Sequence, residues 1–513
     1  MSASLLALLL SLALAGCASL PPQGQRPVST ALADTADTPL ARIAAAAAPD
    51  DERQLSGFRP LMDGDHALNA RIALIRRAQK SLDLQYYLIA SDEVGLLLLR
   101  ELRDAAARGV RVRLLVDDLY AAGQDELFAG LAAHANVELR LFNPLPARSG
   151  TFGARIVLSL HEFTRINRRM HNKLFIADNA FAIVGGRNLA NEYFMRSESA
   201  NFIDADVLAT GPVVRELSTV FDAYWNSEQA WAVQSLAAGK PADARASFDA
   251  MVRDAAAEPT VTPRDRFGRS SVQAQLDSGR LEQRFATAEV FADTPAKAAG
   301  SGNTEAAPMA AAMGAMRAAR SDVLIVSPYF VPGESGMAVL QEALDKQVQL
   351  TVVTNSLGAT DEPLVHWGYA RYRPAMLKMG VALRELGARL SGRTSAFGDF
   401  HSSLARLHAK LAVVDHQRLF IGSMNMDRRS ARLNTELLLA IDSRELSAEI
   451  ASLLTGEQAS LTYRLRLAGD DEHIEWVSTE GPHEVAHRTE PDCGWGLRLK
   501  LATLSAFVNE ENL

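Results

Sequence analysis

His171-x-Lys173-x4-Asp178 recurs as His408-x-Lys410-x4-Asp415. Each copy is followed by a small-residue step ending in asparagine, Gly185-Gly186-Arg187-Asn188 and Gly422-Ser423-Met424-Asn425. With 11 His, 53 basic and 61 acidic residues in 513, a single His-x-basic-x4-acidic match is expected by chance about 0.1 times, so two elaborated copies are not coincidence. Side chains two apart on a strand share a face, so each copy presents an imidazole and an ammonium to one pocket. That set suits a phosphodiester, which is anionic and has a poor leaving group. Two lysines and two asparagines can clamp the non-bridging oxygens. One neutral histidine can attack phosphorus to form a phosphohistidine. The other can protonate the departing alcohol and then deprotonate the acceptor. Spacing alone does not say which histidine does which. Asp204 and Glu436, 33 and 28 residues after His171 and His408, are the candidates to hold the second nitrogen of each ring. Asp178, Asp415, Gly185, Gly186, Gly422 and Ser423 are expected to be structural. No metal-ligand cluster is visible, and neither a metal nor a cofactor is expected.

These residues need strands to carry them, and the chain supplies two similar series. Residues 65–80 have a helical apolar face in Leu68, Ile72, Ile75 and Ala78. Residues 82–89, 110–116 and 138–142 read as strands, 95–107 as a helix, and 173–176 and 180–184 as short strands around the first motif. The second half retraces this order, with strands at 321–330 and 348–354, at offsets near that of the two histidines. Near-constant spacing implies duplication of a whole domain. The fold predicted is α/β: two similar domains, each a mixed sheet flanked by helices, facing one shared site. The boundaries expected are 54–237 and 306–459. A connector at 238–305, rich in Ala, Asp and Ser, is expected to be partly flexible, although 288–292 could be a strand. A hairpin from 461–467 and 474–477 and a helix near 497–508 complete a C-terminal segment, 460–513.

Residues 1–16 carry no charged side chain, and an apolar run from Leu5 to Leu14 ends in Leu14-Ala15-Gly16-Cys17. This reads as an export signal with a lipobox, so that Cys17 becomes the acylated mature N-terminus of a periplasm-facing lipoprotein, sorted to the outer membrane, with 17–53 as a tether. A plain secretory signal or an uncleaved anchor are the alternatives. The only other cysteine is Cys493, so an acylated Cys17 leaves no intrachain disulfide. A net charge of −8 argues against a general nucleic-acid binder. No obligate protein partner is evident.

The double motif resembles the phospholipase D superfamily, and within it the C-type branch of the bacterial cardiolipin synthases. Ser81-Leu-Asp-Leu-Gln-Tyr-Tyr87, Arg108 to Asp118, Val137 to Pro144, Arg169-Met-His-Asn-Lys173, Ser327-Pro-Tyr-Phe-Val-Pro332 and Val365 to Arg373 carry the likeness through most of 56–237 and 306–445. The resemblance implies that His171 is the nucleophile and His408 the acid and base, without a metal. It implies transfer of a phosphatidyl group from phosphatidylglycerol or phosphatidylethanolamine to phosphatidylglycerol, giving cardiolipin at a membrane surface. Phospholipase D hydrolysis, a nuclease activity and a non-catalytic lipid-binding role are the competing readings. Arg165, Arg168 and Arg169 before the first motif, and His366, Tyr369, Arg371 and Arg373 beside Leu364, Val365 and Trp367, are the expected contacts to lipid headgroups. The connector departs from relatives with a long basic segment there.

Overall fold

The structure, a computed structural model, describes residues 19–513 apart from 25, 237–242, 256–259, 301–305, 389–402, 457–460, 470–472, 481–482, 495, 497–500, 502 and 504–513. The signal segment, Cys17 and most of the expected C-terminal helix therefore lie outside the described residues.

The first half is one mixed sheet in the order Ser56–Leu61, Asp206–Thr210, Phe181–Gly185, Leu174–Ala177, Ser81–Tyr86, Arg111–Asp117, Val137–Phe142 and Ala230–Ala232. Only the steps joining Ser81–Tyr86, Arg111–Asp117 and Val137–Phe142 are parallel. The second half repeats that order and sense with Arg284–Ala292, Leu437–Asp442, Arg418–Gly422, Leu411–Val414, Asp322–Val326, Gln349–Asn355, Ala382–Leu386 and Thr462–Leu467. The duplication is thus of a complete sheet. The parallel strands are buried almost throughout, polar side chains such as Asp83, Gln85 and Arg113 included, because helices cover both faces. Glu93–Ala107 buries Leu98, Leu99 and Leu102, and Pro212–Trp225 buries Leu217, Phe221 and Trp225. Thr462–Leu467 pairs with Ile474–Glu480, and a third strand, His483–His487, extends the edge.

The expected connector needs correction. Arg284–Ala292 is a strand whose first three residues pair with Ser56–Phe58 and whose remaining six pair with Leu437–Asp442, so it joins the two sheets. Its side chains are mostly half-exposed, and it is fixed along its length by backbone pairing, first to one sheet and then to the other, rather than by apolar alternation. The helix Val272–Ser278 also packs on Gly64–Arg77.

The halves share a core. Met170, Leu174, Ile176 and Ile203 of the first pack in one cluster with Leu407, Leu411, Val413 and Leu439 of the second. Two crossed contacts frame it. Leu404–Leu407 runs parallel to Ala200–Ile203, and Met170 bridges Thr435 in the same sense. These segments lead directly into His408 and Asp204, and into His171 and Glu436.

A candidate active site shared by the two halves

Both histidines emerge from crossed contacts. The His171 amide donates to the Thr435 carbonyl at 3.0 Å, and the His408 amide to the Ile203 carbonyl at 2.8 Å. The next residue on each facing strand is a carboxylate. His171 Nδ1 lies 3.0 and 3.1 Å from the two Glu436 oxygens, and His408 Nδ1 lies 2.7 Å from Asp204 Oδ2. Asp204 and Glu436 are the carboxylates expected from the sequence, but the partnership is crossed: each histidine is held by the other half. Sequence distance ties a carboxylate to its own half, whereas the domain contact brings it to the opposite one.

With Nδ1–H donated to a carboxylate, each ring turns an Nε2 lone pair away from its support. Tyr87 sits edge-on to His171 and Tyr193 edge-on to His408, both at 5.0 Å between centroids. Burial is the first cause that pushes His171 down to about 4, with Lys173 and Lys410 adding to it against Glu436. Burial, then Lys410, holds His408 well below its ordinary value. Both rings are therefore neutral at neutral pH. Burial raises Asp204. It would raise Glu436 too, but His171, Lys173 and the Ser423 hydroxyl outweigh it and hold that carboxyl low.

The lysines are buried beside the rings. Lys173 Nζ donates to the His171 carbonyl at 2.7 Å, and Lys410 Nζ to the His408 carbonyl at 2.6 Å. Lys410 Nζ also lies 3.0 and 3.1 Å from the His408 ring nitrogens. Among the described residues neither ammonium has a carboxylate within ion-pair distance. Burial with Lys410 beside it pushes Lys173 down to about 7, and burial pushes Lys410 down to about 8. Asn188 Nδ2 donates to the Tyr193 hydroxyl at 2.9 Å, whereas Asn425 Oδ1 is buried without a hydrogen-bond partner among the described residues. Two lysines, two asparagines and two neutral imidazoles thus converge where an anion would relieve the mutual repulsion of the lysines.

The supporting residues repeat between halves. Asp117 accepts the Met170 amide at 2.8 Å, and Asn355 exchanges hydrogen bonds of 2.8 and 2.9 Å with the Leu407 backbone. Asp178 accepts the amides of Gln79, Lys80 and Ser81, and Asp415 those of Arg320, Ser321 and Asp322. Both aspartates sit at positive φ in the turn after their motif strand, so they tie that hairpin to the neighbouring parallel strand. A Cβ on Gly185 would stand 2.2 Å from Asp206 Oδ1, one on Gly186 2.1 Å from Asp204 Oδ1, and one on Gly422 2.1 Å from the Leu437 carbonyl. Where the first half has Gly186, the second has Ser423, whose hydroxyl donates to Glu436.

The expected headgroup contacts are not brought to this pocket. Arg169 is buried and forks onto Asp117, Arg165 binds Glu162 and Asn143, and Arg168 donates to the Lys297 carbonyl. His366 and Arg373 meet Glu490 at 2.9 and 2.6 Å, Tyr369 donates to Glu385, and Arg371 stacks on Trp367. Arg168, Arg169, His366 and Arg373 are engaged by partners distant in sequence, whereas Arg165 meets Glu162 and Arg371 meets Trp367 within about one helical turn. Sequence reasoning missed Tyr87, Tyr193, Ser430, Asp293 and Lys297. Ser430 donates to Glu436, and Asp293, held by Lys297, accepts the Glu436 amide. Only Tyr87 carried a signal, since it follows the C-terminal end of a parallel strand, where α/β sheets place functional groups.

Among the described residues no three His, Cys, Asp or Glu side chains gather as a metal-binding group, and no helix is long and apolar enough to cross a membrane. The family model described as "Cardiolipin synthase, PLD-like domain" matches residues 72–225 and again 313–456. The chain is 34% identical to cardiolipin synthase C of Escherichia coli over 88% of its length and 95% of that protein. It is 25% identical to a cardiolipin synthase A of Pseudomonas fluorescens over 80% of its length and 72% of that protein. In fold it is similar to the crystal structure of phosphatidylserine synthase of Haemophilus influenzae, with a TM-score of 0.54 at 14% identity, covering 82% of this chain and 92% of that one. Two matched domains, a repeated sheet and paired histidine motifs agree, and the chain belongs to the phospholipase D-like family of the bacterial cardiolipin synthases.

Proposed function

We propose that the protein is a phosphatidyltransferase that makes cardiolipin, with phosphatidylglycerol or phosphatidylethanolamine as donor and phosphatidylglycerol as acceptor. The observation that carries the reading is the crossed pair of histidine–carboxylate contacts around two buried lysines. The donor phosphate lies between the rings, its non-bridging oxygens facing Lys173, Lys410, Asn188 and Asn425. Its charge raises the pKa of the neighbouring imidazoles and lets His408 carry a proton on Nε2. His171 Nε2 attacks phosphorus while the bond to the leaving alcohol breaks, and His408 gives its proton to that oxygen. The product is a phosphatidyl-His171 and a free alcohol. The acceptor hydroxyl then loses its proton to His408 as its oxygen attacks phosphorus and the P–N bond breaks. The assignment of His171 as nucleophile is supported by the low pKa of Glu436, which accepts from Ser423 and Ser430 and so keeps the His171 proton on Nδ1. The similarity to cardiolipin synthases of other bacteria supports the substrate class.

Protein given labelled phosphatidylglycerol, with and without phosphatidylethanolamine, is expected to form cardiolipin as its main labelled product. Phosphatidic acid as the main product at every lipid density would make it a hydrolase and overturn the proposal.

A further inference from the structure

Three short helical turns, Phe152–Leu158, Leu160–Glu162 and Phe163–Ile166, form an arm just before His171. Of the eight exposed large hydrophobic side chains among the described residues, five lie on this arm or against it: Tyr120, Phe152, Val157, Leu160 and Phe163. Val157 is 64% exposed and Phe163 53%. The arm is not a misplaced core element, because its inner side is fully used. Arg155 is buried against Asp118 and the Ala147 carbonyl, and Ile166 is buried as well. The apolar side is simply turned outward. Exposed large apolar side chains concentrated on one short segment mark an interaction surface.

The patch is continuous with the site. Phe152 stacks on Tyr120 at 5.5 Å, Tyr120 meets Tyr87 edge-on at 5.4 Å, and Tyr87 meets His171 edge-on at 5.0 Å. An aromatic ladder therefore runs from the exposed arm to the histidine that receives phosphorus in the proposed reaction.

We infer that this arm is the surface by which the protein docks on a phospholipid bilayer. Phe152, Val157, Leu160 and Phe163 enter the boundary between headgroups and acyl chains, and the ladder lines the passage of a headgroup to His171. The choice of a lipid surface as occupant rests on the proposed function, since the pocket at the foot of the ladder takes a lipid phosphodiester. The contact is apolar rather than electrostatic. Arg165, Arg168 and Arg169 have internal partners, and the chain carries a net charge of −8, so anionic lipid gives little attraction.

The full chain and its Val157→Ser/Leu160→Ser/Phe163→Ser variant, which leaves the ladder intact, are compared on two substrates. One is phosphatidylglycerol in phosphatidylcholine vesicles, and the other is a short-chain phosphatidylglycerol kept below its aggregation concentration. The variant is expected to lose at least ~10-fold on vesicles and under ~2-fold on the monomeric lipid. Raising salt from about 0.05 to about 0.5 M is expected to change the vesicle rate less than ~2-fold, because no exposed ion pairing is involved. Independently of activity, Leu160→Trp is expected to gain fluorescence that vesicles of lipid brominated near the headgroup quench. Equal losses on both substrates, an unchanged vesicle rate, a steep salt dependence or no added quenching would each overturn the inference. Self-association of the parent that the triple variant abolishes would do so too, by assigning the patch to a second copy. Failure of the transfer reading is distinct, for it appears as phosphatidic acid from both proteins with the vesicle-to-monomer ratio still shifted.

Discussion

Lys173→Met is expected to stabilise the protein while abolishing its chemistry. Lys173 is fully enclosed, and its ammonium has one hydrogen bond, to the His171 carbonyl at 2.7 Å, and a place 5.3 Å from the Tyr87 ring centroid. Burial, with Lys410 beside it, lowers its pKa from 10.5 to about 7. At 1.36 kcal/mol per pKa unit, burying this charge opposes folding by about 5 kcal/mol. Methionine keeps the shape and removes the charge, but forfeits the hydrogen bond and the ring contact, together about 2 kcal/mol. The net expected gain is about 3 kcal/mol at neutral pH. Its pH dependence carries a definite sign. The folded state binds the proton less tightly than the unfolded state, so the penalty is fully present below about 7 and disappears as pH rises to 10.5. Urea unfolding of parent and variant at pH 7 and near pH 10 measures this as a midpoint shift that is large at the first and nearly gone at the second. Turnover is expected to fall at least ~10²-fold, as for loss of a group that stabilises transition-state charge. A variant less stable than the parent at pH 7, or a gain that does not change with pH, would refute the reasoning.

Filling the pocket has the opposite effect on protons. With Lys173 near 7, Lys410 near 8 and both imidazoles below neutrality, inorganic phosphate is expected to bind with uptake of about one proton at pH 7.5, read by calorimetry in buffers of different ionisation enthalpy. Proton release would contradict the assignment. Glu436→Gln is expected to suppress formation of a covalent adduct from a nitrophenyl-leaving substrate by at least ~10², because it disturbs the His171 tautomer. Asp204→Asn is expected to retain that adduct and slow its transfer to an alcohol, because it disturbs His408; the reverse pattern would exchange the histidines' roles. Gly186→Ser is expected to cut turnover by at least ~10² by displacing Asp204, whose Oδ1 lies 2.1 Å from a Cβ built there, while Ser423→Gly loses the hydroxyl's bonds to Glu436 and from the Leu437 amide and is expected to lose only about 10-fold. Steady-state rates on one lipid substrate separate the two.

The paired histidines, lysines and asparagines were legible because the chemistry dictates both type and spacing, and near-equal offsets between the halves made the duplicated sheet legible with them. Other features depended on neighbours that are far away in sequence. Arg169 looks like an exposed charge before a motif until Asp117, from another strand, is seen beneath it. A strand at 288–292 was legible, but its extension to Arg284 and its pairing with both sheets were not, because they rest on partners far away in sequence. Phe152, Val157, Leu160 and Phe163 have the composition of a buried helix, and only the fold shows that their faces point outward.

The crossed partnership is the deepest of these distant effects, because it makes the two halves one catalytic unit. His171 has its Nδ1 proton held by Glu436, and the Glu436 amide is in turn fixed by Asp293, which follows the strand joining the sheets. His408 depends on Asp204 in the same way, and its strand is registered on Ala200–Ile203. A displacement of either domain by about 1 Å would therefore loosen both rings together, a distance that matters because reacting groups must be held within a few tenths of an ångström of their working geometry. The shared core of Leu174, Ile176, Leu411 and Val413 and the strand Arg284–Ala292 resist that displacement. Orientation of the two imidazoles is thus a property of the interface, since each half supplies one ring and the carboxylate that holds the other.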